Sequence, residues 1–276
     1  MNSEINSFPQ VLTIAGTDSG GGAGMMADLK TMQECHTFST GVIIAVTAQN
    51  TLGVQQSFML PKEIIDAQFA SIAADFQIRA CKTGMLGDVQ HVQYVVNNLK
   101  KYDFGPLIVD PVMVAKGGAI LLTDEAISLV KQQLFPLATV ITPNIIEAQR
   151  LVDQEIKDAN DIKLAAKKLQ DLGAKNVIIK GGHAKGQQVS DYCLFLDHTD
   201  LWLNAPRIIT PRTHGTGDTL SACICSQIAR GIPLKTAVHI AKDFINLAIK
   251  KTIQVGHGHG PLNHWAYQEV NKNAEL

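Results

Sequence analysis

Short apolar segments and amphipathic segments alternate along most of the chain. Five apolar segments have the length of strands: Val11–Ala15, Val42–Val46, Leu107–Val109, Thr139–Thr142 and Asn176–Lys180. Segments that are apolar over nearly their whole length are typical of parallel strands covered on both faces. Between them, apolar residues recur in steps of three and four, as at Val89, Val92, Val96 and Leu99. This alternation predicts right-handed βαβ units and an α/β fold with helices on both faces of one sheet.

The pattern changes toward the end of the chain. Two apolar segments, Tyr192–Leu196 and Leu201–Leu203, flank a polar turn and predict an antiparallel hairpin at the sheet edge. Two helices follow, the second with a stripe from Leu234 to Ala248. No linker-like segment or internal repeat divides the sequence, so we predict a single domain over residues 1–276, with tails at 1–10 and 267–276.

Composition and charge narrow the choice of function. The chain has 24 Lys+Arg and 25 Asp+Glu, a net charge of −1, and therefore no sign of the basic surface that nucleic-acid binding requires. No apolar run approaches the ~20 residues that span a bilayer, so no membrane partner is predicted. The first residues, MNSEINSFPQ, lack a signal-peptide pattern, and none of the five cysteines forms a CxxC pair. We expect a cytoplasmic protein with reduced core thiols.

A glycine-rich segment, Gly16–Gly24, lies between the first strand and the next helix. Adjacent glycines let the backbone approach a ligand closely, and a helix N-terminus favours an anion. A dinucleotide-binding fingerprint would need glycine where the chain has Met25, which disfavours a nicotinamide-dependent oxidoreductase. The alternative is a tight turn that needs glycine for steric reasons alone.

A second glycine segment, His214–Asp218, precedes a helical stripe. Its glycines expose backbone N–H groups at the positive end of a helix, which suits a phosphoryl group in transfer. A carboxylate directly behind them, Asp218, is placed to accept a proton from an attacking hydroxyl. The alternative is that Asp218 only stabilises the first turn of the helix.

Two further segments follow predicted strands. Asn144 and Glu147 lie three residues apart, a spacing that suits magnesium ligands and equally a helix capping box. Lys180 begins the sequence Lys180–His183 at a strand end, where open α/β sheets bind ligands. Lys180 is either a phosphate ligand or an ordinary surface lysine.

Taken together, these segments resemble the hydroxymethylpyrimidine/hydroxymethylpyrimidine-phosphate kinases of the ribokinase superfamily. The resemblance is carried by LTIAGTDSGGGAGMMADLKT, VTAQNTLGVQ, KTGMLGD, VDPVMVAKGG, ITPNIIEA, IIKGGH, THGTGDTLSA and VGHGHGPLNH, in family order from about residue 11 to 265. It implies a ribokinase-like three-layer α/β/α sandwich with a central, mostly parallel sheet. One active site is expected at the carboxyl ends of the strands.

The resemblance also implies residue roles. Substrate-binding positions are Gly16, Asp28, Gln49, Met85, Val112 and His257. The anion hole is Gly215, Thr216 and Gly217, with Asp218 as the catalytic base. ATP-binding positions are Lys180, Asn144, Glu147 and Gly182. The Mg²⁺ ligands are Asp110 and Glu147.

The chain departs from the resemblance at two positions. Asp218 stands where these pyrimidine kinases commonly have cysteine, although aspartate is the base of the wider superfamily. A carboxylate is ionised at neutral pH whereas a free thiol mostly is not, so the chemistry is preserved. His257 stands where some members carry a lysine that meets the substrate phosphate, and a neutral imidazole is the weaker phosphate partner.

The resemblance implies an ATP- and Mg²⁺-dependent kinase of a small heterocycle that carries a hydroxymethyl group. Hydroxymethylpyrimidine, with its monophosphate, is the expected acceptor, because the Gln49 amide can pair with an aminopyrimidine. Pyridoxal or pyridoxine is the alternative acceptor on the same scaffold, and a non-catalytic sensor is the rival class. By analogy we expect a homodimer, and Ala115–Ile120 is the candidate lid.

Overall fold

A computed structural model describes residues 5–114, 121–182 and 186–267 of the chain. The strands within these residues are β1 (Gln10–Ala15), β2 (Phe38–Ile43), β3 (Ala45–Asn50), β4 (Gly53–Met59), β5 (Ile78–Thr83), β6 (Leu107–Val109), β7 (Val140–Ile141), β8 (Asn176–Ile179), β9 (Gln188–Leu194) and β10 (Asp200–Pro206). The helices are α1 (Gly24–Glu34), α2 (Lys62–Asp75), α3 (Val89–Lys101), α4 (Asp124–Leu129), α5 (Ile145–Val152), α6 (Ala159–Asp171), α7 (Thr216–Ala229) and α8 (Leu234–Lys250). The candidate lid at Ala115–Ile120 and His183 lie outside the described residues.

Eight strands form the central sheet, in the order β10-β9-β8-β7-β6-β5-β1-β2. From β8 to β2 in this order, each strand is parallel to the next one in the sheet. Strand β9 is antiparallel to both of its neighbours, β8 and β10. The predicted hairpin at the sheet edge is therefore confirmed. None of the described helices combines the length and the hydropathy that a bilayer span requires.

Side chains alternate between two hydrophobic cores, one on each face of the sheet. On β6, Leu107 and Val109 pack with buried residues of α2 to α6, while Ile108 packs with those of α1, α7 and α8. Because successive side chains of a strand point to opposite faces, a sheet covered on both sides must be apolar throughout. The predicted three-layer α/β/α sandwich is confirmed.

Two parts of the sheet differ from the prediction. The predicted single strand Val42–Val46 is wrong, because the chain leaves the sheet at Ile44 and continues in β3. Strands β3 and β4 form a separate two-stranded sheet. Strand β5 lies in the middle of the main sheet and was not predicted, since Arg79 and Lys82 interrupt its apolar pattern.

The carboxyl ends of the parallel strands place several polar residues at one edge of the sheet. Gly16 follows β1, Asp110 follows β6, Thr142 follows β7 and Lys180 follows β8. Strands that run in parallel finish at the same edge, which is where open α/β sheets bind their ligands. Segments separated by more than 160 positions are thereby brought to one site.

Candidate active site

A buried carboxylate organises the glycine-rich loop after β1. Asp18 accepts hydrogen bonds from the backbone N–H groups of Gly20 (2.8 Å), Gly22 (3.1 Å) and Ala23 (2.9 Å). Burial alone would raise the pKa of Asp18, but bonds from His214 and from the loop amides hold it below its ordinary value. Asp18 is not among the residues predicted from the sequence, although a carboxylate at the head of a glycine run commonly accepts such bonds.

Two of the predicted substrate-binding residues meet at the end of β1. The backbone N–H of Gly16 donates to the carbonyl of Met85 (3.1 Å). A Cβ at position 16 would meet the Cε of Met85, the flexible end of that side chain, so Met85 packs directly against the backbone of Gly16. Val112 lies at the same edge, half-buried, with its N–H donating to the Asp110 carbonyl (2.9 Å).

A buried lysine joins two carboxylates beneath this edge. The Lys82 Nζ lies 2.6 Å from Asp28 Oδ1 and 3.4 Å from Asp218 Oδ1. Thr13 donates its hydroxyl to the other oxygen of Asp28 (2.6 Å). Burial by itself would lower the pKa of Lys82, but the carboxylates of Asp28 and Asp218 raise it well above its ordinary value. Lys82 therefore stays charged and holds Asp218 from behind.

The position of Asp28 differs from the expected substrate contact. Its side chain is completely buried, and Thr13 and Lys82 occupy both carboxylate oxygens. Among the described residues, Lys82 is what links Asp28 to the site. The sequence assigned no role to Lys82, because its partner is 54 positions away.

The second glycine segment forms the N-terminus of α7. Gly215 precedes the helix in the left-handed conformation, with φ of 82°. A Cβ at position 215 would collide with the carbonyl of Gly22, so the two glycine segments pack directly against each other. The first N–H groups of a helix have no intrahelical partner. The Thr216 N–H donates to the Thr213 carbonyl (3.4 Å), so the N–H groups of Gly217 and Asp218 are the donors that this helix end offers to an anion. The Thr216 hydroxyl donates to the Thr213 carbonyl (2.7 Å) and fixes this turn.

Lys180 borders the same helix end. Its Nζ lies 2.8 Å from Asp110 Oδ1, and Thr142 donates to that oxygen at 3.2 Å. A Cβ at Gly217 would stand 3.1 Å from Asp110 Oδ2 and 3.2 Å from Lys180 Nζ. Burial would lower the pKa of Lys180, but the carboxylates of Asp110 and Glu147 raise it. A permanent positive charge therefore lies beside the helix N-terminus.

Asn144 and Glu147 form a capping box at the start of α5. Asn144 Oδ1 accepts from the Glu147 N–H (2.9 Å), and Glu147 Oε2 accepts from the Asn144 N–H (2.8 Å). The capping alternative thus explains their spacing. Burial raises the pKa of Glu147 to about 7, with Lys180 opposing the shift and Asp110 adding to it.

The carboxylates of Asp110 and Glu147 suit Mg²⁺ in chemistry and number. Both interact with Lys180 at the edge of the sheet. Within the described residues no three His, Cys, Asp or Glu side chains could hold a metal together. Mg²⁺ is commonly bound through one or two carboxylates, completed by phosphate oxygens and water. The residues present fit an ion that arrives with a polyphosphate.

Two further predicted residues, His257 and Gly182, are exposed. The loop that carries His257 rests on Thr51, which accepts from the N–H of Gly258 (3.2 Å, Oγ1) and of His259 (2.8 Å, carbonyl). A Cβ at position 258 would collide with Thr51, so that glycine shapes the loop. The phosphate-binding role of His257 stays a prediction.

Gln49 is connected to the anion-binding segment by His214. The His214 Nε2 lies 3.2 Å from the Gln49 amide and 3.0 Å from Asp18 Oδ2. Gln49 was predicted to bind the substrate, but its contact with His214 was not predicted from the sequence.

The arrangement suits phosphoryl transfer to a hydroxyl group. Donors of the α7 N-terminus and the Lys180 ammonium would stabilise negative charge on a transferring phosphoryl group. The side chain of Asp218, 15% exposed, lies at the same helix end and can accept a proton. A cavity of about 380 Å³ that includes Leu99 and Leu137 lies near the opposite edge of the sheet, away from these groups.

Comparisons with known proteins agree with this chemistry. The family model described as phosphomethylpyrimidine kinase matches residues 18–263. A hydroxymethylpyrimidine/phosphomethylpyrimidine kinase of Haemophilus influenzae is 52% identical over 96% of this chain and 100% of its own length. The ADP complex of Bacillus subtilis pyridoxal kinase superposes with a TM-score of 0.88 at 38% identity, covering 95% of this chain and 99% of that one. Staphylococcus aureus pyridoxal kinase with AMP-PCP and pyridoxal gives 0.87 at 32%, covering 96% of both chains.

The charge cluster around Lys82 yields a stability prediction. Lys82→Met leaves the buried Asp28 carboxylate without its cation, and we expect a loss of about 3–5 kcal/mol in the free energy of unfolding. Burial raises the pKa of Asp28 to about 7 even beside Lys82, so without this cation the carboxyl group must take up a proton. Adding Asp28→Asn replaces it with a neutral amide and should restore much of that loss. Lys62→Met is the control, because it breaks an exposed pair with Asp66 and should cost less than about 1 kcal/mol. Urea unfolding of the four proteins measures this; equal losses in Lys82→Met and Lys62→Met would contradict the account.

Proposed function

The chain belongs to the phosphomethylpyrimidine kinase family, and we propose that its site phosphorylates hydroxymethylpyrimidine and then the resulting monophosphate. The protein is an ATP-dependent phosphotransferase of vitamin precursors, and the pyrimidine products belong to thiamine biosynthesis. The observation that carries the proposal is the meeting of three groups at the N-terminus of α7. These are the helix N–H groups, the Lys180 ammonium and the Asp218 carboxylate.

The γ-phosphoryl group of ATP is proposed to lie over the N–H groups of Gly215–Gly217. Lys180 then supplies a fixed positive charge on one side of it, and Asp110 keeps that lysine in place. Since phosphoryl transfer needs little covalent help from the protein, such positioning and charge stabilisation account for most of the catalysis. Gly182, in the exposed loop after Lys180, is proposed to border the nucleotide; its carbonyl accepts from Arg207 (2.9 Å).

Asp218 is proposed as the base of the first phosphorylation. A hydroxymethyl group must lose its proton as its oxygen attacks, and the Asp218 carboxylate would take it. Lys82, fixed by Asp28, holds the carboxylate in place from the buried side. The second phosphorylation differs, because the attacking oxygen of a phosphate monoester is already largely deprotonated at neutral pH.

Mg²⁺ is proposed to bind through Asp110 and Glu147 together with the ATP phosphates. When bound, the ion would neutralise charge on the β- and γ-phosphates. Glu147 has a pKa of about 7 in the chain without ligands, so its carboxylate is available to a cation at and above neutral pH. Asn144 supports Glu147 through the capping box and is proposed to act on the nucleotide only through it.

The acceptor is proposed to lie among Gly16, Met85, Val112 and Gln49. Gln49 offers a donor and an acceptor to an aminopyrimidine edge. The Met85 side chain packs against the backbone of Gly16 and is proposed to contact the face of a flat ring. Pyridoxal is the second candidate, because solved pyridoxal kinases superpose with TM-scores of 0.87 and 0.88. Both rings carry the hydroxymethyl group that the proposed chemistry needs.

The chain is proposed to act as one domain in a reducing compartment, the cytoplasm. One sheet takes strands from residue 10 to residue 206, and α7 and α8 pack on it. The five cysteines are buried free thiols, and the Cys35 and Cys223 sulfurs lie 3.5 Å apart, too far for a disulfide.

A homodimer is proposed through the outer face of the β3–β4 sheet. Val46 and Phe58 are paired across these strands and expose 46% and 62% of their surface. Thr47 points to the other face, where its hydroxyl donates to the Thr17 carbonyl beside the active site (2.8 Å). An exposed pair of apolar side chains on a hairpin is suited to burial against a second copy of the chain.

Acceptor-dependent ADP release tests the proposed function. We expect the highest kcat/KM with hydroxymethylpyrimidine, measurable turnover of its monophosphate, and lower kcat/KM with pyridoxal and pyridoxine. Preference for pyridoxal, with the pyrimidine monophosphate inert, would contradict the proposed acceptor. Release of ADP with none of the four would contradict the kinase assignment.

Removing the base should separate the two phosphorylations. Asp218→Asn is expected to lower turnover of hydroxymethylpyrimidine by about 100-fold or more, since general base catalysis contributes on the order of 10²–10⁴-fold. ATP binding should persist, and turnover of the monophosphate should fall much less. Asp243→Asn, at an exposed position of α8, is the control. Equal losses for both acceptors would remove Asp218 from the base role.

Phe58→Glu is expected to convert the dimer to a monomer, because it places a charge in the proposed apolar interface. Leu164→Glu is the matched control, since Leu164 is also exposed (47%) but lies on α6. Sedimentation equilibrium at micromolar concentration gives the masses. A monomeric wild-type chain, or a dimeric Phe58→Glu variant, would refute this interface.

A further inference from the structure

Two side chains, from Asp18 and Gln49, converge on one ring nitrogen of His214. The His214 Nε2 lies 3.0 Å from Asp18 Oδ2 and 3.2 Å from the side-chain nitrogen of Gln49. The side chains of Asp18 and His214 are 4% and 16% exposed, so water competes little for these bonds. This nitrogen holds a single proton at most. Its hydrogen bonds to Asp18 and to Gln49 therefore cannot both form in every orientation of the Gln49 amide.

Asp18 determines where that proton is. Its carboxylate accepts from Gly20, Gly22 and Ala23, and these bonds with His214 stabilise the ionised form. A carboxylate offers only acceptors, so the Nε2 of His214 must carry the proton that lies between them. His214 is therefore a donor at this nitrogen toward Gln49 as well.

The amide of Gln49 must then turn its oxygen toward His214. The N–H of His214 is directed to Asp18, so an N–H of Gln49 that faces Nε2 would find no lone pair there. A half-turn of the amide removes this conflict. The Thr47 Oγ1 lies 3.4 Å from the amide atom of Gln49 that does not face His214. After the half-turn this atom is the amide nitrogen. The Thr47 hydroxyl donates to the Thr17 carbonyl (2.8 Å), and its oxygen is left to accept from that nitrogen. Both ends of the amide favour the same orientation.

We propose that His214, held by Asp18, is a positioning residue that fixes the amide orientation of Gln49 and thereby the ring that the site accepts. In this orientation one N–H and one lone pair of Gln49 remain for the ligand, in a defined order. That order fits a ring nitrogen adjacent to an exocyclic amino group and would mispair after a half-turn. The inference rests on the proposed function, in which Gln49 contacts the acceptor.

A double-mutant cycle tests the inference, with the variants Gln49→Ala, His214→Leu and the pair. Because His214 acts through Gln49, His214→Leu should raise the KM for hydroxymethylpyrimidine about 5- to 10-fold and leave the KM for ATP unchanged. It should also reduce the ratio of kcat/KM for hydroxymethylpyrimidine to kcat/KM for pyridoxal. In the Gln49→Ala background the same substitution should change the acceptor KM less than twofold. Thermal unfolding checks that all three proteins are folded.

His214→Gln is the conservative variant, because its amide retains an N–H donor near the position of Nε2. The acceptor KM of His214→Gln should lie close to the wild-type value. This variant also tests the inference if His214→Leu does not fold. Equal increases in acceptor KM for the Leu and Gln variants would contradict a donor role. Multiplicative effects of Gln49→Ala and His214→Leu would overturn the inference and leave the proposed function standing. An unchanged acceptor KM in Gln49→Ala would overturn both.

Discussion

The Lys82 ammonium, buried between two carboxylates, is the constraint on which the rest of the site depends. A charge without exposure to water requires close partners, and Asp28 and Asp218 provide them at 2.6 and 3.4 Å. Lys82 belongs to β5, Asp28 to α1 and Asp218 to α7, so one cation ties the centre of the sheet to two helices of one face. The only member of the cluster with an exposed fraction is Asp218, and it is the group assigned to the chemistry.

Glycine allows the surrounding backbone to close around this cluster. At Gly215 a side chain would collide with the glycine-rich loop after β1, and at Gly217 it would crowd Asp110 and Lys180. The helix N-terminus can therefore approach both the acceptor side and the nucleotide side of the site. Asp18 and His214 complete the link between these sides through hydrogen bonds. Phosphoryl transfer needs this closeness, because its catalysis consists mainly of positioning and charge stabilisation.

The sequence predicted the elements whose patterns are local. The strand of Val11–Ala15, the edge hairpin and the helical stripe on α8 needed only neighbouring residues, and the structure has all three. Strand β5 escaped prediction, because its two basic residues break the apolar run and nothing nearby shows that Lys82 is buried. The separation of β2 from β3 depends on their packing against different parts of the fold, which periodicity does not report.

The residues of the site also divide into those that local patterns predict and those that only the fold reveals. The glycine segments and Asp218 could be found from their spacing and from the family resemblance. The partners of Asp28 could not, since they lie 15 and 54 positions away and are known only once the strands are paired. Asn144 and Glu147 show the converse case, in which a short spacing has a local explanation, the capping box.

The central claim is that Asp218 and the α7 N-terminus bracket the reacting atoms, and a crystal structure with hydroxymethylpyrimidine and a non-hydrolysable ATP analogue tests it directly. The account predicts the acceptor's hydroxymethyl oxygen within about 3 Å of the Asp218 carboxylate, as a general base requires. It also predicts the terminal phosphate on the N–H groups of Gly215–Gly217. A hydroxymethyl group directed away from Asp218, or phosphates bound elsewhere, would contradict it.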